Sequence, residues 1–277
     1  MRVAPFICIT CGTQYPPSDA PPAQCVICEE ERQYVPPSGQ SWITPERLAA
    51  RHANTFRQHE PGLISIGSLP TFGIGQNAIL VVTPAGNVLW DCISLLDDAT
   101  IAVIKGLGGL KAIAISHPHF YTTMVDWSCA FGCPVHLHAA DRKWVMRPDP
   151  ALSFWEGDTL ALLPGVTLIR GGGHFPGGTM LHVAQGADGR GALLSADIAT
   201  VAPDRKFLSF MRSYPNLIPL SAREVEGIAA SLAPFAFERI YGHFFDRVIA
   251  SGAKDVLAKS VKRYLAAIAG TARGPME

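Results

Sequence analysis

Four cysteines stand in two short pairs near the start of the chain, Cys8-Ile-Thr-Cys11-Gly12 and Cys25-Val-Ile-Cys28, with 13 residues between the pairs. Two such C-x2-C turns can present four thiolates tetrahedrally, and soft sulfur favours zinc or a single iron over a hard cation. The chain has seven cysteines, an odd total that argues against a fully paired disulfide framework. Farther on, Ser116-His117-Pro118-His119 follows the apolar run Ala112-Ile-Ala-Ile115. Side chains i and i+2 of an extended segment share one side, so both imidazoles can reach one ion. His174 lies in the turn GGGHFPGG, whose glycines permit the positive φ and close approach that a metal-facing loop requires. Asp197 ends the run LLSAD, and His243 ends IYGH. Strand ends bearing these ligand types suit an open metal centre, which can polarise a carbonyl or lower the pKa of bound water to about 7.

The elements that must position these groups alternate along the chain. Thr44-Pro45-Glu46 reads as an N-cap with Pro in the first turn, opening a helix to about Gln58. Residues 78–83 and 88–91 are apolar β-branched runs separated by Pro84-Ala-Gly-Asn87, a hairpin pattern. Helical spacing follows over 97–107, a buried strand over 111–116, a helix over 122–131 and a strand over 135–138. Strand pairs follow at 159–163 with 166–170 and at 179–185 with 191–195; then come a helix over 221–232, an extended 239–242 and an amphipathic helix over 253–269. Mixed hairpins and helices imply an α/β layered domain. The 277 residues allow one large domain with a small appendage. The first 40 positions, with Pro16, Pro17, Pro21, Pro22, Pro36 and Pro37, cannot bury a core and need a staple, which the cysteines supply. The expected division is a ribbon over 1–40 and an α/β domain over 41–277.

Lys+Arg and Asp+Glu each number 23, and only 17% of residues are charged against 48% hydrophobic. Nucleic acid is therefore not a default partner. No apolar run approaches the ~20 residues of a membrane span, and the N-terminus lacks a signal-peptide h-region. A soluble cytoplasmic protein acting on a small-molecule substrate is expected, with homo-oligomer formation left open.

The segment CITCGTQYPPSDAPPAQCVICEEE resembles a zinc ribbon or a rubredoxin-like knuckle, although Glu29 stands where rubredoxins have Gly. Zinc is the expected ion; iron would permit one-electron chemistry. In the rest of the chain, NAILVVTPAGNVLWD ending at Asp91, SHPHFYT, GGGHFPGGTM, LLSAD and IYGH occur in an order similar to the metallo-β-lactamase superfamily. The resemblance covers residues 64–245 and implies a four-layered αββα sandwich with its metal site at one edge. It further implies metal ligation by His117, His119 and His174, a bridging Asp197, and a second-site His243. Where the family pattern H-x-H-x-D-H ends in Asp and His, this chain has Tyr121 and Thr122. Both changes remove second-site ligands, so one ion is expected rather than two. The missing Asp also usually orients the attacking water. Tyr121, with an ordinary pKa near ~10, is read as a hydrogen-bonding group rather than a phenolate ligand.

The expected activity is a metal-dependent hydrolase acting on an ester, lactone or thioester. Asp197, His243 and Tyr121 are its catalytic candidates. The alternatives are a mononuclear iron oxidoreductase, since histidines and a carboxylate also suit non-haem iron, and a catalytically silent member that binds a ligand or partner. Asp91 is read as orienting ligands from behind. His136 and His138 are taken as core-edge residues or supports behind the ligands, with a substitute ligand role as the alternative, and His52, His59 and His182 as surface or packing residues. Cys92, Cys129 and Cys133 are taken as buried thiols. Trp42, Phe154, Trp155, Phe207, Phe210 and Phe244 are candidates for a pocket wall or, for most of them, the core.

Overall fold

The computed structural model describes residues 3–271 and divides into two compact units, the first ending at Trp155 and the second beginning at Glu156. In the first unit a seven-stranded sheet runs in sequence order: β1 (Ala53–Glu60), β2 (Leu63–Leu69), β3 (Ala78–Val81), β4 (Val88–Trp90), β5 (Ala112–Ala114), β6 (Val135–His138) and β7 (Leu152–Trp155). Strands β1 to β4 pair antiparallel and β4 to β7 parallel. The change of direction follows from the connections, because parallel neighbours need crossovers. Those crossovers carry helix α1 (Asp98–Gly106), helix α2 (Met124–Phe131) and a 3-10 turn at Ala139–Trp144. Strands β3 and β4 read as continuous apolar runs and are buried throughout.

The helix expected from Pro45 to about Gln58 stops at Ala49, and β1 takes the rest. The physical reason is Pro61-Gly62: β1 pairs antiparallel with β2 across that turn, where Gly62 sits at φ +81° and a Cβ would lie 2.9 Å from the Val82 carbonyl oxygen. Cross-strand pairing overrides the helical start. Strand β7 was not anticipated; its Trp155 is buried rather than walling a pocket. The cysteine-bearing front segment packs into this unit. Ile7 joins Ile43, Leu48 and Leu95, while the cysteines and Ile27 lie against Tyr15, Trp42, Ile74, Trp144 and Met146.

The second unit holds a six-stranded sheet in sequence order: β8 (Thr159–Leu163), β9 (Val166–Arg170), β10 (Thr179–Val183), β11 (Ala192–Leu194), β12 (Arg239–Tyr241) and β13 (Val248–Ile249). All pairs are antiparallel except β11 with β12. Helices α3 (Ala222–Leu232) and α4 (Ala253–Ile268) bury one face of it, with Val225, Ile228, Leu232, Val256 and Leu257 meeting Ile169, Met180, Leu193 and Ile240. α3 opens with a capping box between Ser221 and Glu224. The connection from β11 to α3 folds into two small hairpins, Thr200–Val201 with Leu208–Ser209 and Met211–Ser213 with Ile218–Pro219. Among the described residues no helix is long and apolar enough to cross a membrane.

Candidate metal centre

The four front cysteines converge as their spacing predicts. Cys8 Sγ lies 3.6 Å from Cys28 Sγ and Cys11 Sγ 3.5 Å from Cys25 Sγ, and all four sulfurs lie within 4.8 Å of one another. A thiolate tetrahedron with bonds of about 2.3 Å has sulfur–sulfur edges near 3.8 Å, so the donor set fits one ion. All four residues are buried. Burial pushes the Cys11 thiol above its ordinary range, while hydrogen bonds from Cys11, Cys25 and Cys28 hold Cys8 below its own. A mix of thiol and thiolate is what four crowded sulfurs adopt unless a cation compensates their charge.

Elsewhere in the first unit, the parallel pair β4 and β5 ends on reactive groups. Register places Trp90 opposite Ala114, so Asp91 and Ser116 leave the sheet side by side at its carboxyl edge. Asp91 Oδ1 accepts from the Ser116 backbone N–H at 2.7 Å and from Ser116 Oγ at 2.8 Å. Ser116 Oγ is also 2.8 Å from His117 Nδ1. The serine has one proton, which goes to the carboxylate, so Nδ1–H of His117 donates to Oγ and Nε2 carries the lone pair, the form that a metal ligand needs. The His119 ring stands 5.1 Å from that of His117, and both are buried. Tyr121 is also buried; its hydroxyl is pushed well above the usual phenol range by burial and then by the charge of Asp141, so it stays protonated. Asp141, a buried carboxylate in the 3-10 turn after β6, is a residue sequence reasoning missed.

The second unit repeats this plan. The parallel pair β11 and β12, with Leu194 opposite Tyr241, delivers Asp197 and His243 from adjacent carboxyl ends. His243 Nε2 lies 3.1 Å from Asp197 Oδ1, which also accepts from Thr200 Oγ1 at 3.1 Å. His174 projects from the turn between β9 and β10, where Gly173 adopts φ +71° and a Cβ would lie 2.7 Å from Leu220 Cδ1. His174 Nδ1 is 3.0 Å from the Met211 carbonyl oxygen. A carbonyl only accepts, so Nδ1 carries the proton and Nε2 again carries the lone pair. Tyr214, in the same small hairpin as Met211, donates to the Asp197 carbonyl at 3.2 Å and sets its ring 5.8 Å from that of His174. Left-handed backbone at non-glycine residues marks both sets: Asp91 at φ +60°, Thr122 at +35° and Ala196 at +44°. Such strain collects at functional sites.

The remaining candidates take structural places. His138 accepts the Ala140 N–H and packs edge-on against Trp155, while burial lowers the pKa of His136. His52 meets the Leu48 carbonyl, His59 the Ser65 hydroxyl and His182 the Ala236 carbonyl. Cys92 and Cys133 are buried as expected, but Cys129 is exposed, because it falls on the solvent side of α2 next to buried Ser128. Trp42 packs on the cysteine cluster, Phe210 lies in the core, and Phe154 and Phe207 lie under Arg142 and Arg263. Phe244 stands beside a candidate residue, its ring 4.2 Å from that of His243. Ser116, Met211 and Tyr214 carry roles without any motif of their own; only the place of Ser116 just before His117 hinted at one.

No family model matches the chain. It is 47% identical over 265 residues to YmaE of Bacillus subtilis, a protein described as uncharacterized, covering 95% of this chain and 96% of the relative. Among solved structures, a variant of the metallo-β-lactamase of Cronobacter sakazakii superposes with TM-score 0.51 at 20% identity, covering 78% of this chain and 96% of that one. VMB-1 does so with TM-score 0.58 at 10% identity, covering 78% and 98%. The β4–β5 and β11–β12 strand ends and the four-cysteine cluster agree with that fold and with the ribbon before it. The chain belongs to one family with YmaE, has the metallo-β-lactamase fold, and carries an N-terminal four-cysteine ribbon.

Proposed function

We propose that the protein is a metal-dependent hydrolase of an ester, lactone or thioester, with one zinc ion held by His117, His119, His174 and Asp197 and a second, structural zinc in the ribbon. In this reading residues 41–277 are the catalytic domain and 1–40 an addition to it. The observation that carries the proposal is the matched hydrogen bonding behind two rings: His117 through Ser116 and Asp91, and His174 through the Met211 carbonyl, are each fixed in the tautomer that offers Nε2. Histidines of a packed core have no need of such matched orientation. A bound zinc would supply a Lewis acid for the substrate carbonyl.

The chain's own residues do the rest. His243 and Asp197 form a pair able to hold a proton at His243 Nε2 and deliver it to an alkoxide or thiolate leaving group. Tyr121, kept protonated by burial, can donate to the substrate oxygen. Tyr121 and Thr122 in place of the family's Asp and His support a single ion. The protein as purified should contain two zinc ions per chain, and one or more of a panel of esters, lactones and thioesters should be turned over. His119→Ala should abolish turnover with the circular dichroism spectrum unchanged. Redox-active iron in the histidine centre would overturn the reading in favour of an oxidoreductase, and failure on every substrate class would favour a silent binding protein.

A further inference from the structure

The ribbon's first knuckle and the loop that carries His117 and His119 are hydrogen-bonded together. We propose that the ribbon, closed around its thiophilic cation, is the buttress that holds this loop in ligand geometry, with Gln14 as the positioning residue. The knuckle is shaped by Gly12 N–H to the Cys8 carbonyl at 2.8 Å and Cys8 N–H to the Thr13 carbonyl at 2.9 Å. The next residue, Gln14, is buried and reaches three other segments. Its backbone N–H donates to the Thr122 carbonyl at 3.1 Å, three residues beyond His119. Its side-chain Nε2 donates to Asp126 Oδ2 on α2 at 2.6 Å, and its Oε1 accepts from Arg147, which also holds Asp126 Oδ1 at 2.6 Å. One side chain thus clamps the helix after the loop and the segment after the 3-10 turn.

The loop requires such a clamp. Thr122 is β-branched and sits at φ +35°, a conformation that persists only when its surroundings over-determine it. The knuckle approaches closely enough to do so. Ser94 Oγ donates to the Gly12 carbonyl at 3.0 Å, and a Cβ on Gly12 would lie 2.3 Å from Ser94 Oγ and 3.5 Å from Thr122 Cγ2. From the other side, Thr123 Oγ1 donates to the Ile93 carbonyl at 3.1 Å. The knuckle in turn depends on its ion, because Cys8 and Cys11 at its two ends are two of the four sulfurs that would hold it. Loss of that ion frees Gln14, lets Thr122 relax and loosens His119. The effect on the histidine centre rests on the function proposed above; the effect on the loop does not.

The test is hydrogen exchange on the full chain, comparing wild type with Gln14→Ala and with the double variant Cys25→Ser/Cys28→Ser. Amides of residues 113–124 should exchange about tenfold faster in Gln14→Ala, with 179–195 in the second unit unchanged. Cobalt-loaded Gln14→Ala should keep the thiolate charge-transfer band of the ribbon while the visible bands of the histidine centre shift and its zinc affinity falls about tenfold. The cysteine variant should show the same exchange in 113–124. If that variant does not fold, Gln14→Ala decides the matter by itself. Unchanged exchange over 113–124 in Gln14→Ala overturns the proposal. A wild type that binds only the ribbon's ion would sink the proposed function, yet faster exchange over 113–124 would still uphold the buttress.

Discussion

Single side chains decide which nitrogen of a histidine meets a metal, and here they act through protons that can be counted. Ser116 has one proton and spends it on Asp91, so it must accept from His117. Replacing Ser116 by Ala should weaken zinc at the histidine centre by roughly 10- to 100-fold without unfolding the chain, as read by competition with a chromophoric chelator. His182 makes a second prediction at this scale. Burial holds its pKa below the ordinary 6.5, opposed by the Ala236 carbonyl and helped by Lys254. A depressed imidazole favours the folded state above its ordinary pKa, and that contribution is lost as pH falls through the lower folded value. The melting temperature of wild type should therefore drop more steeply between about pH 7 and 5 than that of His182→Gln; parallel curves would rule the contribution out.

At the scale of elements, parallel strand pairs do the placing. β4 with β5 and β11 with β12 each end at a carboxyl edge, and each edge bears a carboxylate beside an imidazole or the serine that orients one. The turn between β9 and β10 delivers His174 only because Gly173 can adopt φ +71° against Leu220 and Ile228. Gly173→Ala should cost on the order of 1–3 kcal/mol in chemical denaturation and impair the centre beyond that, since both backbone and packing oppose a Cβ. Ser221→Ala should cost about 1 kcal/mol through loss of the α3 capping box, and leave metal content untouched. The contrast between the two separates general stability from the geometry of the site. β1 shows the limit of local reading: Thr44-Pro45 does open a helix, but the partner strand β2 claims everything from Ala53 on.

At the scale of the whole molecule, the proposed function places two different metal chemistries in one chain. An ion in the ribbon would be held by sulfur alone and its binding energy would be folding energy, so its release by a thiol-directed mercurial should lower the melting temperature sharply. Removing an ion from the histidine centre with a mild chelator should leave most of the fold intact. Two well-separated release phases are the expected outcome, with secondary structure lost only in the phase that empties the ribbon. The four-cysteine cluster, the histidines and carboxylate at strand ends, and the fold were legible in the sequence, because ligand types at fixed spacing and glycine-rich turns are local properties. Tertiary structure alone decided that Asp91 works through Ser116, that Met211 and Tyr214 support His174 and Asp197, that Cys129 faces solvent, and that Gln14 ties the ribbon to the Thr122 loop. Those partners are far apart in the chain and carry no motif; sheet register and packing bring them together, and neither can be read from one segment at a time.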